Sequence, residues 1–373
     1  MRLLYLCASA QIGGGNRSLL SLWDELLLQG TAISAVCPSE GPMVQACVDR
    51  GISCCVMRYD WFPGKNIFSL VYNFYRWWKL LKDIQPDIIH ANERLGNRAI
   101  ALPAKTMGIP LVCHVRYPPT LQAVSRTYRW IPQPDFFIFN SYALQNAVGS
   151  FFSQACPRTR QQVIYNGVNL QNFPGIHRNG RDPVRIGIVA NLLPVKGHDS
   201  FLEMAHLLVE KGVRAEFWIV GEDIMNKGYD QHLQHLATTL NLDKSVHFLG
   251  FRDDIPHILS QIDILVSSSS EEPFGRSICE AMACELPVVA TAVGGVVEVI
   301  DNNKTGILVP GQSPSSLADA VESLIKDGGL RKTMGQAGRQ RVKDLFSNEA
   351  HAKEMKEIYR KLLGKLGCKI EMN

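Results

Sequence analysis

Short apolar runs recur along the whole chain, each closed by a polar or glycine-bearing turn and followed by helical periodicity. One series covers residues 3–7, 32–37, 53–57, 86–91, 110–114 and 136–141. A second covers 184–189, 216–221, 246–251, 262–266, 287–291 and 306–310. Runs this apolar read as strands buried on both faces, and strands that alternate with helices read as parallel βαβ units. Two such series predict an α/β protein of two Rossmann-like, doubly wound domains facing a cleft. The length agrees, because single cores stop growing well before 373 residues. Residues 171–182, with Pro174, Gly175, Gly180 and several charges, read as the hinge. The expected domains are 1–174 and 175–352.

Composition mainly excludes. With 46% hydrophobic and 20% charged residues the chain falls in the ordinary globular range. No uncharged apolar run reaches the roughly 18 residues of a membrane-spanning helix. Residues 1–10 imitate a signal peptide, but the apolar run is short and a glycine-rich loop follows, so a first strand is the better reading. Ten cysteines lack metal-ligand or disulfide-framework spacing and mostly sit in apolar runs. They read as small core residues of a reduced, cytoplasmic protein without a metal site. The net charge of +4 divides unevenly: 16 Lys/Arg against 9 Asp/Glu in residues 1–175, and 23 against 26 thereafter. A basic first half points to an anionic membrane surface or anionic acceptor, and nucleic acid is not expected for want of a binding motif. A helix over 67–84 carries Tyr72, Tyr75, Arg76, Trp78, Lys79 and Lys82, a mixture suited to a membrane interface. Leu70, Phe74, Trp77 and Leu81 on the same helix fit packing on a sheet equally well.

In open α/β sheets ligands bind outside the carboxyl ends of the strands. After 262–266 comes a loop with Glu272, Phe274, Gly275 and Arg276, and Glu280 lies eight residues beyond Glu272. The Phe274-Gly275 turn would bring backbone N–H groups and a helix N-terminus to a phosphate. The two carboxylates could accept hydrogen bonds from sugar hydroxyls, although glutamates at that spacing alone more often mark a solvated helix face. Lys196-Gly197, shortly after Asn191, puts a point charge at a strand-to-helix turn, which suits a diphosphate. Gly13-Gly14-Gly15-Asn16-Arg17 follows the first strand as a phosphate cradle, without the spacing of the dinucleotide fingerprint or the P-loop. His114, Arg116 and Tyr117 stand at the end of the 110–114 strand.

The string Glu272-Pro273-Phe274-Gly275, with Glu280-Ala281-Met282-Ala283 behind it, resembles the donor-site motif of retaining glycosyltransferases of the GT-B type, family 4 (group 1). The segment Asn166-Gly167-Val168-Asn169 is similar to the family's Asn-Gly-Val-Asp, which ends the first domain. The resemblance covers nearly the whole chain and is strongest over 191–310. It implies metal-independent transfer of a sugar from a nucleoside-diphosphate sugar to a hydroxyl of a glycan or lipid-linked glycan, with configuration retained and no cofactor. By resemblance Glu272 contacts the donor sugar, Glu280 the ribose, the loop at Phe251-Arg252 the base, and Gly13-Gly14 the diphosphate and acceptor. His114 lies near the reacting carbon, so His114, Lys196 and Glu272 form the implied catalytic set. Asn16, Arg17, Arg116 and Tyr117 are acceptor-side candidates. A closing helix, 353–366, is expected to pack back on the first domain. The enzyme would be cytoplasmic, peripheral on the inner face of the membrane. One departure stands out: the family's arginine is Asn191 here, so Arg252 or Arg276 is a candidate for the missing cation. The same fold also serves nucleotide-sugar epimerases and phosphorylases, though no signature of a lysine-bound pyridoxal cofactor is present. A non-catalytic sugar-nucleotide binder remains the alternative from another class.

Overall fold

The computed structural model describes residues 1–59, 67–175 and 182–370. They form two compact units, Met1–Gly167 with Asn348–Asn373, and Val168–Ser347.

The first unit runs β1 (Arg2–Leu6), α1 (Gly14–Leu28), β2 (Ala32–Cys37), α2 (Pro42–Val48), β3 (Ser53–Val56), α3 (Ile67–Ile84), β4 (Ile88–Ala91), α4 (Arg94–Thr106), β5 (Leu111–Val115), α5 (Leu121–Tyr128), β6 (Phe136–Phe139), α6 (Tyr142–Ala155) and β7 (Arg160–Val163). The sheet is parallel in the order β3-β2-β1-β4-β5-β6-β7. Alternate residues of β1 serve opposite cores, as strand pleating requires. Leu3 and Tyr5 pack with Leu19, Leu22, Trp23 and Leu26 of α1, while Leu4 and Leu6 pack with Trp77 and Leu81 of α3 and Ile100 of α4.

The second unit runs β8 (Val184–Val189), α7 (His198–Glu210), β9 (Ala215–Val220), α8 (Tyr229–Thr239), β10 (Val246–Gly250), α9 (Ile255–Gln261), β11 (Ile264–Ser267), α10 (Arg276–Ala283), β12 (Val288–Thr291), α11 (Val296–Val299), β13 (Ile307–Val309), α12 (Pro314–Lys326) and α13 (Gly328–Leu345). Its parallel sheet has the order β10-β9-β8-β11-β12-β13. Every residue of β11 and β12 is buried, which is why these strands appear in the sequence as unbroken apolar runs.

The last helix, α14 (Asn348–Ile370), belongs to the first unit: Ala352, Met355, Ile358, Tyr359 and Leu362 join the core that α1 caps. It begins at Asn348, ahead of the expected 353, because its first turn is polar and the apolar stripe starts only at Ala352. The division falls at Gly167, ahead of the expected 174. Residues 176–181 of the expected hinge, Gly180 among them, lie outside the described residues. The aromatic helix α3 is two-sided. Trp77 and Leu81 are buried on the sheet, Leu70 and Phe74 are half-buried, and Phe68, Val71, Tyr72 and Tyr75 are exposed.

Candidate functional site

In the second unit the strand order reverses between β8 and β11, so the loops that follow these strands flank the one crevice where a doubly wound sheet takes ligands. The loop after β8 tightens into a 3-10 turn, Pro194–Lys196, and ends at Gly197, which opens α7. Gly197 has φ of +69°, and a Cβ there would lie 2.0 Å from the Ser268 carbonyl oxygen. Only glycine lets the two loops touch in this way. Ser268 Oγ donates to the Gly197 carbonyl at 2.7 Å, and the Ser270 N–H donates to the Val195 carbonyl at 2.9 Å.

These ties bring Lys196 Nζ to Glu272 Oε2 at 2.6 Å. The other carboxylate oxygen accepts the N–H of Gly275, the N-cap of α10, at 3.1 Å. The Glu272 backbone is fixed in turn. Its carbonyl accepts from the Gly295 N–H at 2.9 Å, and Gly294, at φ +49°, approaches so closely that a Cβ would lie 2.2 Å from that oxygen. Further along α10, Glu280 Oε1 accepts from Arg276 Nε at 2.7 Å, with side chains only 6% and 15% exposed. A pair this buried is costly to break by deleting one member.

The remaining donor-side candidates are placed differently. Asn191 is exposed just beyond β8. Arg252, in the loop after β10, forks onto Asp254 at 2.8 and 2.6 Å in solvent. The Phe274 side chain is buried edge-on to Phe346, with centroids 5.7 Å apart, so only its backbone is available to a ligand. Each candidate cation on this side, Lys196, Arg252 and Arg276, therefore holds a carboxylate.

In the first unit the switch point lies between β1 and β4. A polar chain crosses it: Asn16 Nδ2 donates to the Ser9 and Gln11 carbonyls, Asn92 Nδ2 to Asn16 Oδ1 at 3.1 Å, and Arg116 to Asn92 Oδ1 and Asn166 Oδ1, both at 2.8 Å. Gly13 and Gly14 stand in open space, whereas a Cβ at Gly15 would meet Arg116 at 2.9 Å. Arg17 is half-buried. His114 is fully buried, its ring stacked on His90 with centroids 5.6 Å apart. Burial, aided by the charge of Arg116, holds the His114 pKa well below the usual imidazole value. Neither His114 ring nitrogen has a protein partner among the described residues. The ring lines a small pocket with Glu93, Arg94, Arg116 and Tyr117. Tyr117, partly exposed, donates to Glu93, and partial desolvation with that carboxylate pushes its pKa up to about 12.

Sequence reading missed Asn92 and Tyr359. Tyr359 Oη meets His90 Nδ1 at 2.7 Å and Tyr5 Oη at 2.8 Å, tying α14 to the sheet beneath His114. Asn92 had a signal, since it is a polar residue directly beyond the carboxyl end of an apolar run. Tyr359, far away in sequence, had none.

The family model for glycosyl transferases group 1 matches residues 171–341, and that for glycosyltransferase family 4 matches residues 12–172. The capsular polysaccharide biosynthesis glycosyltransferase CapM of Staphylococcus aureus is 28% identical over 206 residues, 53% of either chain. A D-inositol 3-phosphate glycosyltransferase of Corynebacterium jeikeium is 32% identical over 249 residues, 62% of this chain and 58% of the relative. The matched region thus spans about half the length of these curated relatives. Among solved structures, Anabaena Alr3699/HepE in complex with UDP and glucose superposes with a TM-score of 0.81 at 22% identity, over 96% of this chain and 99% of that one. Adjoining matches along most of the chain and a shared fold lead to one statement: this chain belongs to the group 1 glycosyltransferases of the GT-B type.

Proposed function

We propose that this chain transfers a glycosyl group from a nucleoside-diphosphate sugar to a hydroxyl of a glycan or lipid-linked glycan, with retention of configuration and without a metal ion. The observation that carries the reading is the Lys196–Glu272–Gly275 constellation at the switch point of the second unit. Its ammonium and helix-terminal N–H are the two groups a departing diphosphate needs, and Glu272 engages both with its two oxygens. The carboxylate thus sits as a stand-in for phosphate. Donor binding displaces it from Lys196 and frees it to accept hydrogen bonds from the sugar. A cation and a helix terminus already aimed at one spot supply the charge that a metal provides in other transferases. Glu280, held by Arg276, is the carboxylate for the ribose. His114, kept neutral by burial, can bond a hydroxyl without adding charge.

The acceptor side is argued from α3. Its outer face exposes Phe68, Val71, Tyr72 and Tyr75 with Lys79 and Lys82, while Lys82 and Arg76 lie over the rings of Trp78 and Tyr72 at 5.1 and 5.7 Å. Aromatics with cations on one helix face suit an anionic lipid surface and hence a lipid-linked acceptor. Alr3699/HepE is described in complex with UDP and glucose, so UDP-glucose is the first donor to test.

The deciding experiment incubates the protein, a chelator, a panel of nucleoside-diphosphate sugars, and a lipid-linked or soluble acceptor with or without anionic vesicles. Product anomers are read by NMR. A chelator-insensitive product with the donor's anomeric configuration is expected, made faster on vesicles. An inverted product or abolition by chelator would refute the mechanism. Epimerisation of the donor sugar without acceptor would make the chain an epimerase, and tight nucleotide binding without any turnover would make it a binder.

A further inference from the structure

Three cysteines from separate elements of the first unit meet on one side of its sheet. Cys37 ends β2, Cys54 lies in β3 and Cys47 lies in α2, and their sulfurs are all within 4.8 Å of one another. Cys37 and Cys47 are fully buried, and Cys54 is half-buried at the edge of the same core. Cys7, just beyond β1, is buried in that core too.

The backbone register decides between two uses of this cluster. β2 and β3 run parallel with Ala35 opposite Cys54, so Cys37 lies two residues beyond the position facing Cys54. With strands ~4.8 Å apart and a rise of ~3.3 Å per residue, the two Cα atoms are about 8 Å apart. A disulfide rarely spans more than ~7 Å between Cα atoms, so oxidation would require the strands to slip. The sulfurs nevertheless converge, Cys54 on Cys37 at 3.6 Å. Thiolates around a tetrahedral ion at ~2.3 Å each are about 3.8 Å apart. The spacing suits sulfurs that share an ion better than sulfurs that share a bond.

We propose that Cys37, Cys47 and Cys54 bind one thiophilic d10 cation, Zn2+ or Cu+, which clamps β2, β3 and α2 together. The donor set is purely soft, which favours these ions over Mg2+ or Ca2+. A three-sulfur set is complete for trigonal Cu+, whereas Zn2+ takes a fourth ligand, for which Cys7 in the same core is the candidate. Because a metal held by the folded chain alone adds its binding energy to folding, occupancy is expected to raise Tm.

The test titrates the fully reduced whole chain under anaerobic conditions with Zn2+, Cu+ and, as a coloured reporter, Co2+. One ion per chain, thiolate-to-Co2+ charge-transfer absorption and a raised Tm are expected. Cys37→Ser and Cys54→Ser should each weaken binding by more than the roughly 10–100-fold that losing an outer-shell partner causes. Cys55→Ser is the control, since its side chain points to the opposite face of the sheet. Circular dichroism of the metal-free variants distinguishes lost ligands from lost fold, and Cys54→Ser, at the edge of the core, is the variant best placed to remain folded. No stoichiometric binding by folded, reduced wild type would overturn the proposal. So would a folded Cys54→Ser that binds like wild type, equal loss in Cys55→Ser, or a Cys37–Cys54 disulfide found by mass spectrometry.

Discussion

His198 lies one residue beyond the glycine that follows Lys196 and is fully buried at the start of α7. Burial lowers its pKa to about 4 against the pull of neighbouring Asp199. In the unfolded chain the same imidazole titrates near ~6.5. Between these values the unfolded chain binds the additional proton, so stability is intact above pH ~6.5 and is lost as pH falls toward ~4. A gap of ~2.5 at ~1.36 kcal/mol each amounts to about 3 kcal/mol over the whole window. A step from pH ~7.5 to ~5 covers about 2 kcal/mol of it. Urea unfolding of wild type and His198→Gln at those two pH values isolates this contribution, because every other titrating group cancels in the difference. Wild type should lose about 2 kcal/mol more than the variant. Equal losses, or a wild type more stable at the lower pH, would show that the folded chain accommodates the imidazolium, contrary to the desolvation argument.

Two further outcomes follow from the sites. Lys196→Ala should lower kcat by about 10²–10³-fold, the usual effect of removing one donor to developing negative charge, while the chain stays folded. Steady-state rates with the preferred donor check it, and a change under about threefold would remove Lys196 from the mechanism. Tyr359→Phe strips the hydroxyl from His90 Nδ1 and Tyr5 Oη inside a buried core and should cost about 1–3 kcal/mol. An unchanged Tm would mean that apolar packing alone holds α14.

What the sequence disclosed follows the physics of each element. Strands buried on both faces are apolar almost throughout, so β11 and β12 were visible as unbroken runs, and β1, β5 and β8 as runs carrying a single Arg or His each. β7 was not, because it is an edge strand, Arg160–Val163, with every residue half-buried and no apolar run to see. Lys196 and Glu272 were readable as candidates beyond strand ends, but their direct bond was not. It depends on Gly197 letting two loops touch across 76 residues of sequence. The buried Tyr5–Tyr359–His90 network was beyond reach for the same reason, since its partners are 354 and 269 residues apart. The thiol cluster failed the spacing test because topology, not local sequence, gathers it: β2, α2 and β3 each contribute one sulfur.

The departure at Asn191 acquires a physical meaning from these pairings. Lys196, Arg276 and Arg252 each carry a carboxylate partner, so each candidate cation of the proposed donor site is already paired. Arginine at 191 would add a further cation. With asparagine in its place, a diphosphate gains full attraction only by taking the place of Glu272 on Lys196. Arg276 is held by a carboxylate that is 6% exposed and costly to strand, and Arg252 stands in solvent, where its charge is screened. Donor affinity in the proposed reaction therefore rests on one lysine and one helix terminus, and it depends on the carboxylate leaving. Glu272→Gln separates the two consequences. It should tighten binding of a bare nucleoside diphosphate, because the competitor for Lys196 has lost its charge, while it slows transfer, because the sugar has lost its acceptor. If binding and transfer weaken together instead, Glu272 holds the site in shape rather than competing for it.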